Sequence, residues 1–159
     1  MKQLSLSNSK YFQTQLSYGG ELINNKRKSR RPLDTKKPLH VVLRVDTEKP
    51  VFLHNDPLIN QLIEHFAKKF GIQVHLNSVN ANHLHLVISF KHRDFYSKFL
   101  KALSGRLAQQ FKIKWLHPPF TRVLNWGRDF KNACAYVIKN QKEAWGLISY
   151  TPRRKKFPD

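Results

Sequence analysis

The apolar residues between Asp56 and Phe111 change their spacing twice, and that change limits the folds open to the chain. Ile59, Leu62, Ile63, Phe66 and Phe70 recur in steps of three and four, which gathers them on one face of a helix. Asp56-Pro57 supplies the start, a capping side chain followed by proline at the first helical position, and Gly71 supplies the stop. From Ile72 to Val79 the spacing becomes that of a strand. Asn80-Ala81-Asn82 offers a turn, and His83 to Phe90 returns as the hairpin partner. Phe95, Phe99, Leu103, Leu107 and Phe111 then fall at successive fourth positions, which predicts a second helix over about Asp94 to Phe111.

On either side, His40 to Val45 and Phe120 to Trp126 read as strands, and Arg128 to Ala144 reads as a last helix before Gly146. The order strand, helix, strand, strand, helix, strand, helix predicts an α+β fold of the ferredoxin-like, split βαβ kind. Its sheet would have four antiparallel strands with two helices on one face, plus an extra C-terminal helix. Many unrelated functions use this architecture, so function has to be read from side chains.

Charge narrows the partners. The 159 residues carry 29 Lys and Arg against 10 Asp and Glu, a formal charge of +19, while 40% hydrophobic content is enough for a folded core. Polyanions are the expected partners of such a surplus, nucleic acid first among them. A membrane is disfavoured, because the positive charge is not gathered on one amphipathic helix and no apolar run approaches a span. A single cysteine, Cys134, excludes an intramolecular disulfide and a Cys-rich zinc site. Together with an N-terminus lacking the apolar stretch of a secretory signal, it predicts a cytoplasmic location. The acids are scattered, which argues against a nuclease that holds two metals on clustered carboxylates.

Three stretches are expected. Residues 1–38 form a basic arm, 39–146 the folded domain, and 147–159 a basic tail containing Arg153-Arg154-Lys155-Lys156. In the arm, Lys26, Arg27, Lys28, Arg30, Arg31, Lys36 and Lys37 are opposed only by Asp34. A solvated tail that orders on a phosphate backbone accounts for that run.

Two sets of residues can carry chemistry. His83 and His85 lie two apart in a strand and point to one face, with Leu84 and Leu86 on the other. Side by side, two imidazoles suit a divalent cation, although a pair of ordinary strand histidines has the same spacing. On the last helix, Phe130, Cys134, Val137 and Gln141 trace the expected core stripe. Asn132, Tyr136, Asn140 and Glu143 trace a separate polar line. Tyr136 and Asn140 are one turn apart and can face a common target, or the tyrosine can sit at the core boundary. A phenol is a weak nucleophile and needs an electrophile polarised by a metal or by cations; a phosphodiester on a histidine-held cation is one.

Asn82-His83-Leu84-His85-Leu86 resembles the His-hydrophobic-His motif of the HUH endonucleases. Tyr136-Val137-Ile138-Lys139-Asn140 resembles the tyrosine helix of their single-tyrosine branch. The chain is most similar in these motifs to the bacterial REP-associated tyrosine transposases, relatives of single-tyrosine insertion-sequence transposases. Arg31-Pro32, Lys37-Pro38-Leu39-His40, Pro119-Phe120-Thr121-Arg122-Val123 and Trp126-Gly127-Arg128 add to the likeness, which spans about residues 19–152.

The resemblance implies that Tyr136 attacks single-stranded DNA, and that His83 and His85 bind magnesium or manganese. Asn140 would be the third ligand, with Gln141 the runner-up. It implies a DNA partner folded as a hairpin by a palindromic repeat, gripped by the arm residues with Arg122 and Arg128. A bacterial, nucleoid-associated setting follows, with monomer and homodimer both open. Imidazole pairs suit zinc or manganese better than magnesium, so the metal is also open. The alternative is a catalytically inactive nucleic-acid-binding module of the same fold.

Overall fold

Residues 17–23 and 30–152 are described by the computed structural model. Strand β1 is Ser17–Tyr18, followed by a 3-10 turn at Gly20–Ile23. Then come β2 (Leu39–Arg44), α1 (Asp56–Phe70), β3 (Ile72–Val79), β4 (His83–Phe90), α2 (Arg93–Phe111), β5 (Phe120–Val123) and α3 (Arg128–Ala144). Lys26, Arg27, Lys28 and the Arg153-Arg154-Lys155-Lys156 tail lie outside the described residues.

Helix α1 starts as its sequence signals demand, with one correction. The capping position is Asn55, whose amide instead donates to the Val51 carbonyl at 3.2 Å. Asp56 is the first helical residue, where its carboxylate complements the positive end of the helix. Gly71 ends the helix in the left-handed region, φ 63°, and its N–H reaches the Ala67 carbonyl. The chain re-enters the sheet one residue later.

The sheet runs β1-β5-β2-β4-β3, with every neighbouring pair antiparallel. Within it, β5-β2-β4-β3 is the expected split βαβ core, and β1 makes a fifth strand where the sequence pattern predicts four. The added strand needs a chain that can press against the β4-distal edge. Gly19 allows this: at φ 85° it lies so close to the Pro119 carbonyl that a Cβ would collide with it. Gly20 N–H then donates to Pro118 O at 2.9 Å. Strand β5 ends at Val123, short of the expected Trp126. The Asp129 carboxylate turns the chain there, accepting from Asn125 N–H at 2.9 Å and from Arg122 at 2.6 Å.

The pleat divides side chains between two faces. Leu39, Val41 and Leu43 of β2 and Leu84, Leu86 and Ile88 of β4 meet α1 and α2 in the main core. Of the α2 stripe, Phe99, Leu103 and Leu107 are fully buried, while Phe95 and Phe111 pack at its ends. Each such side chain contributes about 1.5–3 kcal/mol by leaving water. The opposite face is covered more sparsely, by α3, through Val87, Leu124, Ala133 and Val137. Only part of that face is sealed, and the polar residues of β2 and β4 emerge beside α3. Among the described residues, no helix is long and apolar enough to cross a membrane.

Candidate active site

Residues 40, 42 and 44 of β2 and 83 and 85 of β4 share the face that α3 only partly covers. Register sets Val42 opposite His85 and Arg44 opposite His83. The two β4 histidines therefore stand side by side, ring centroids 5.0 Å apart, with His85 buried and His83 half-buried. Tyr136 descends from α3 and packs edge-to-face on His85, ring centroids 5.9 Å apart, yet is 37% exposed, so it touches both the site and solvent. Asn140, one turn later, is 9% exposed and lines the same cleft of about 710 Å³. Gln141 does not line it. Asn140 also lies on the inner side of α3 with Ala133 and Val137, whereas Gln141, expected on the core stripe, is only half-buried.

The hydrogen bonds of His83 select one tautomer. Asn82 donates its amide N–H to the Thr47 carbonyl at 3.0 Å, which turns its oxygen towards His83 Nδ1 at 2.9 Å. Asn80 Nδ2 can only donate, and lies 3.0 Å from His83 Nε2. His83 is therefore protonated on Nδ1 and presents a lone pair at Nε2. His85 has its Nδ1 3.0 Å from His40 Nε2, and the two rings lie nearly coplanar, centroids 5.3 Å apart and planes 13° apart. His40 is buried, and burial, aided by the Arg122 guanidinium across the β2–β5 register, pushes its pKa down to about 4. It is a neutral imidazole at physiological pH.

His40, Asn80 and Asn82 are the site residues that sequence reasoning missed as a group. Their only signal is position. His40 alternates with Val41 and Leu43, but its approach to His85 depends on the β2–β4 pairing. The cleft is also less neutral than a His–His–Tyr–Asn centre implies. Arg44, Glu21 and Glu143 line it, and Glu143 lies 3.6 Å from Lys139 with its side chain largely buried.

Among the described residues, no three His, Cys, Asp or Glu are grouped to hold a metal ion. A cation here could rest on two imidazoles and the Asn140 amide oxygen. That set of nitrogen and neutral oxygen donors fits zinc or manganese better than magnesium, provided the Asn80 amide turns away from His83 Nε2. Such a set is uncharged and leaves room for anionic oxygens from a substrate.

The model of the family described as "Transposase IS200 like" matches residues 35–142, from before β2 into the last turns of α3. The chain belongs to this transposase family. All four residues of the candidate centre, His83, His85, Tyr136 and Asn140, fall inside the matched stretch of this IS200-like transposase. Its fold is shared with the solved structure of a REP-associated tyrosine transposase bound to a REP hairpin. The TM-score is 0.58 at 12% identity, over 75% of each chain. A crystal structure from Deinococcus radiodurans R1, described as a candidate transposase, aligns with a TM-score of 0.46 at 16% identity, over 72% of this chain and 97% of the other. No curated protein matches the sequence.

The basic residues singled out in the sequence divide by environment. Arg30, Lys36 and Arg128 are exposed, and Lys37 is half-buried. Arg31 is drawn into the fold, donating to Pro119 O at 2.7 Å and Thr121 Oγ1 at 2.8 Å, with its guanidinium 4.6 Å from the Tyr18 ring centre. Arg122 is held by Asp129 at 2.6 Å. The exposed indole of Trp126 donates to the Lys36 carbonyl at 2.8 Å, which ties the segment before β2 to the start of α3.

Proposed function

We propose that the protein nicks and rejoins single-stranded DNA at hairpins formed by palindromic repeats, with Tyr136 as nucleophile. His83, His85 and Asn140 would hold a divalent cation, magnesium or manganese, which supplies Lewis-acid polarisation of the scissile phosphate. The observation that carries this reading is the packing of Tyr136, half in solvent, against the buried His85 imidazole within one cleft.

Tyr136 Oη forms a bond to phosphorus, the bond from phosphorus to the 3′ oxygen breaks, and the phenol proton is lost as the 3′-hydroxyl gains one. The product is a 5′-phosphotyrosine and a free 3′-hydroxyl. Attack by another 3′-hydroxyl reverses the step and rejoins DNA without ATP. Fixing Tyr136 on a helix packed across the sheet holds the attacking oxygen near the imidazoles, which lowers the entropic part of the barrier. Arg44, opposite His83 in register, brings a guanidinium to the cleft for a phosphate oxygen. Exposed Arg30, Lys36 and Arg128, with half-buried Lys37, grip the hairpin backbone, alongside Lys26, Arg27, Lys28 and Arg122.

The test is a denaturation-resistant adduct. Full-length protein incubated with manganese and single-stranded hairpin DNA carrying palindromes of its own genome should form one, and Tyr136→Phe should not. Absence of any adduct from the unaltered protein would overturn the enzyme reading in favour of a binding module. An adduct from Tyr136→Phe would overturn the choice of nucleophile.

A further inference from the structure

We infer that His40 is a positioning residue for His85: it accepts the Nδ1 proton of His85 and thereby selects the tautomer that offers the Nε2 lone pair to the cleft. The inference rests on the reading of His83 and His85 as cation ligands and adds the residue that orients one of them. Its basis is geometric. His40 Nε2 and His85 Nδ1 are 3.0 Å apart, and one proton lies between them. If His40 donates that proton, His85 must carry its other proton on Nε2 and cannot bind a cation there. If His85 donates it, Nε2 is the donor nitrogen.

One feature of the site favours the second arrangement, and a second makes it effective. His83, the neighbouring ring on the same strand face, is already held as the Nδ1–H tautomer by Asn82, which is itself locked to the Thr47 carbonyl. With His85 in the same tautomer, both rings present Nε2, so two like nitrogens from one strand face can meet one ion. The second feature is rigidity. His40 is buried, lies within 13° of the plane of the His85 ring, and packs against the Tyr136 ring at a centroid separation of 6.1 Å. A single β2 side chain thus sets the rotation of the His85 ring and supports the face on which Tyr136 rests. Hydrogen-bond partners of this kind commonly account for about 10- to 100-fold in metal affinity.

Two measurements test this. The first uses two-bond proton–nitrogen correlation spectra of the histidine rings in the metal-free, full-length chain, and needs no variant. His85 should be protonated on Nδ1 and His40 should accept at Nε2; a proton on His85 Nε2 overturns the inference. The second follows Mn²⁺ binding by the free ion's paramagnetic resonance signal. His40→Phe, which keeps a flat ring but has no acceptor, should weaken binding about 10- to 100-fold. His40→Gln, whose amide oxygen can accept in place of Nε2, should restore most of it and return His85 to the Nδ1–H form. Wild-type affinity in His40→Phe, or an equal loss in both variants with His85 unchanged, overturns it. If the unaltered protein binds no Mn²⁺ and forms no DNA adduct, the cation reading fails, while the His85 tautomer still decides the role of His40.

Discussion

Of the six buried polar side chains among the described residues, four line one cleft: His40, Asn80, His85 and Asn140. Burying a polar group costs free energy unless it is partnered, so this concentration at one place marks the cleft as the candidate site. Asn140 makes the sharpest prediction. Asn140→Asp keeps an oxygen donor and should retain Mn²⁺ binding, whereas Asn140→Ala should weaken it by about tenfold or more, as read by the same resonance signal. Tyr96 shows a buried hydroxyl outside the cleft. Its ring packs on Phe90 at 5.4 Å, and burial pushes its pKa up to about 12 against a smaller opposing effect of Arg31. Below about pH 10 the hydroxyl is neutral in both folded and unfolded chains. Between pH 10 and 12 only the unfolded chain ionises, so stability should fall there by on the order of 3 kcal/mol. Urea unfolding should show this slope in the wild type and a shallower one in Tyr96→Phe.

The helices and the hairpin were readable in advance because their signals are local. Gly71, the period-two alternation of β3 and β4, and the fourth-position stripe of α2 each act within one element. Phe99, fully buried at the centre of that stripe, should cost about 3–5 kcal/mol when replaced by alanine. Strand β1 was not readable. Ser17–Tyr18 is too short to show a period, and it exists because β5 presents an edge to it. Gly19→Ala tests that account. The new Cβ meets the Pro119 carbonyl, so β1 and the Glu21–Leu22 wall of the cleft should loosen, seen as faster amide exchange at Gly20 and Leu22, while α1 and α2 keep their protection. On α3, the Phe130–Cys134–Val137 stripe was legible but Asn140 was not placed on its inner side. A helical wheel has no knowledge of which part of the sheet the helix lies over.

Across the whole molecule the +19 charge is a matter of placement more than quantity. Arg31 and Arg128 are equivalent in composition, yet one is bonded to β5 and the other faces solvent. Arg31→Ala should therefore destabilise the fold by about 1–3 kcal/mol in urea unfolding. Arg128→Ala should leave stability unchanged and lower hairpin-DNA affinity, reducing the salt dependence of binding by about one unit of slope.

Periodicity and turn residues determined the split βαβ order, while short motifs carried the family resemblance and marked the histidine pair and tyrosine as candidates, since each of these depends on neighbours within a few positions. Tertiary structure alone decided that His40 meets His85, that Asn140 is turned inward, that Arg31 serves the fold, and that residues before β2 add a strand. Each of those depends on strand register and on which helix covers which face. Register couples distant residues, such as His40 and His85 45 positions apart, and no local pattern records it.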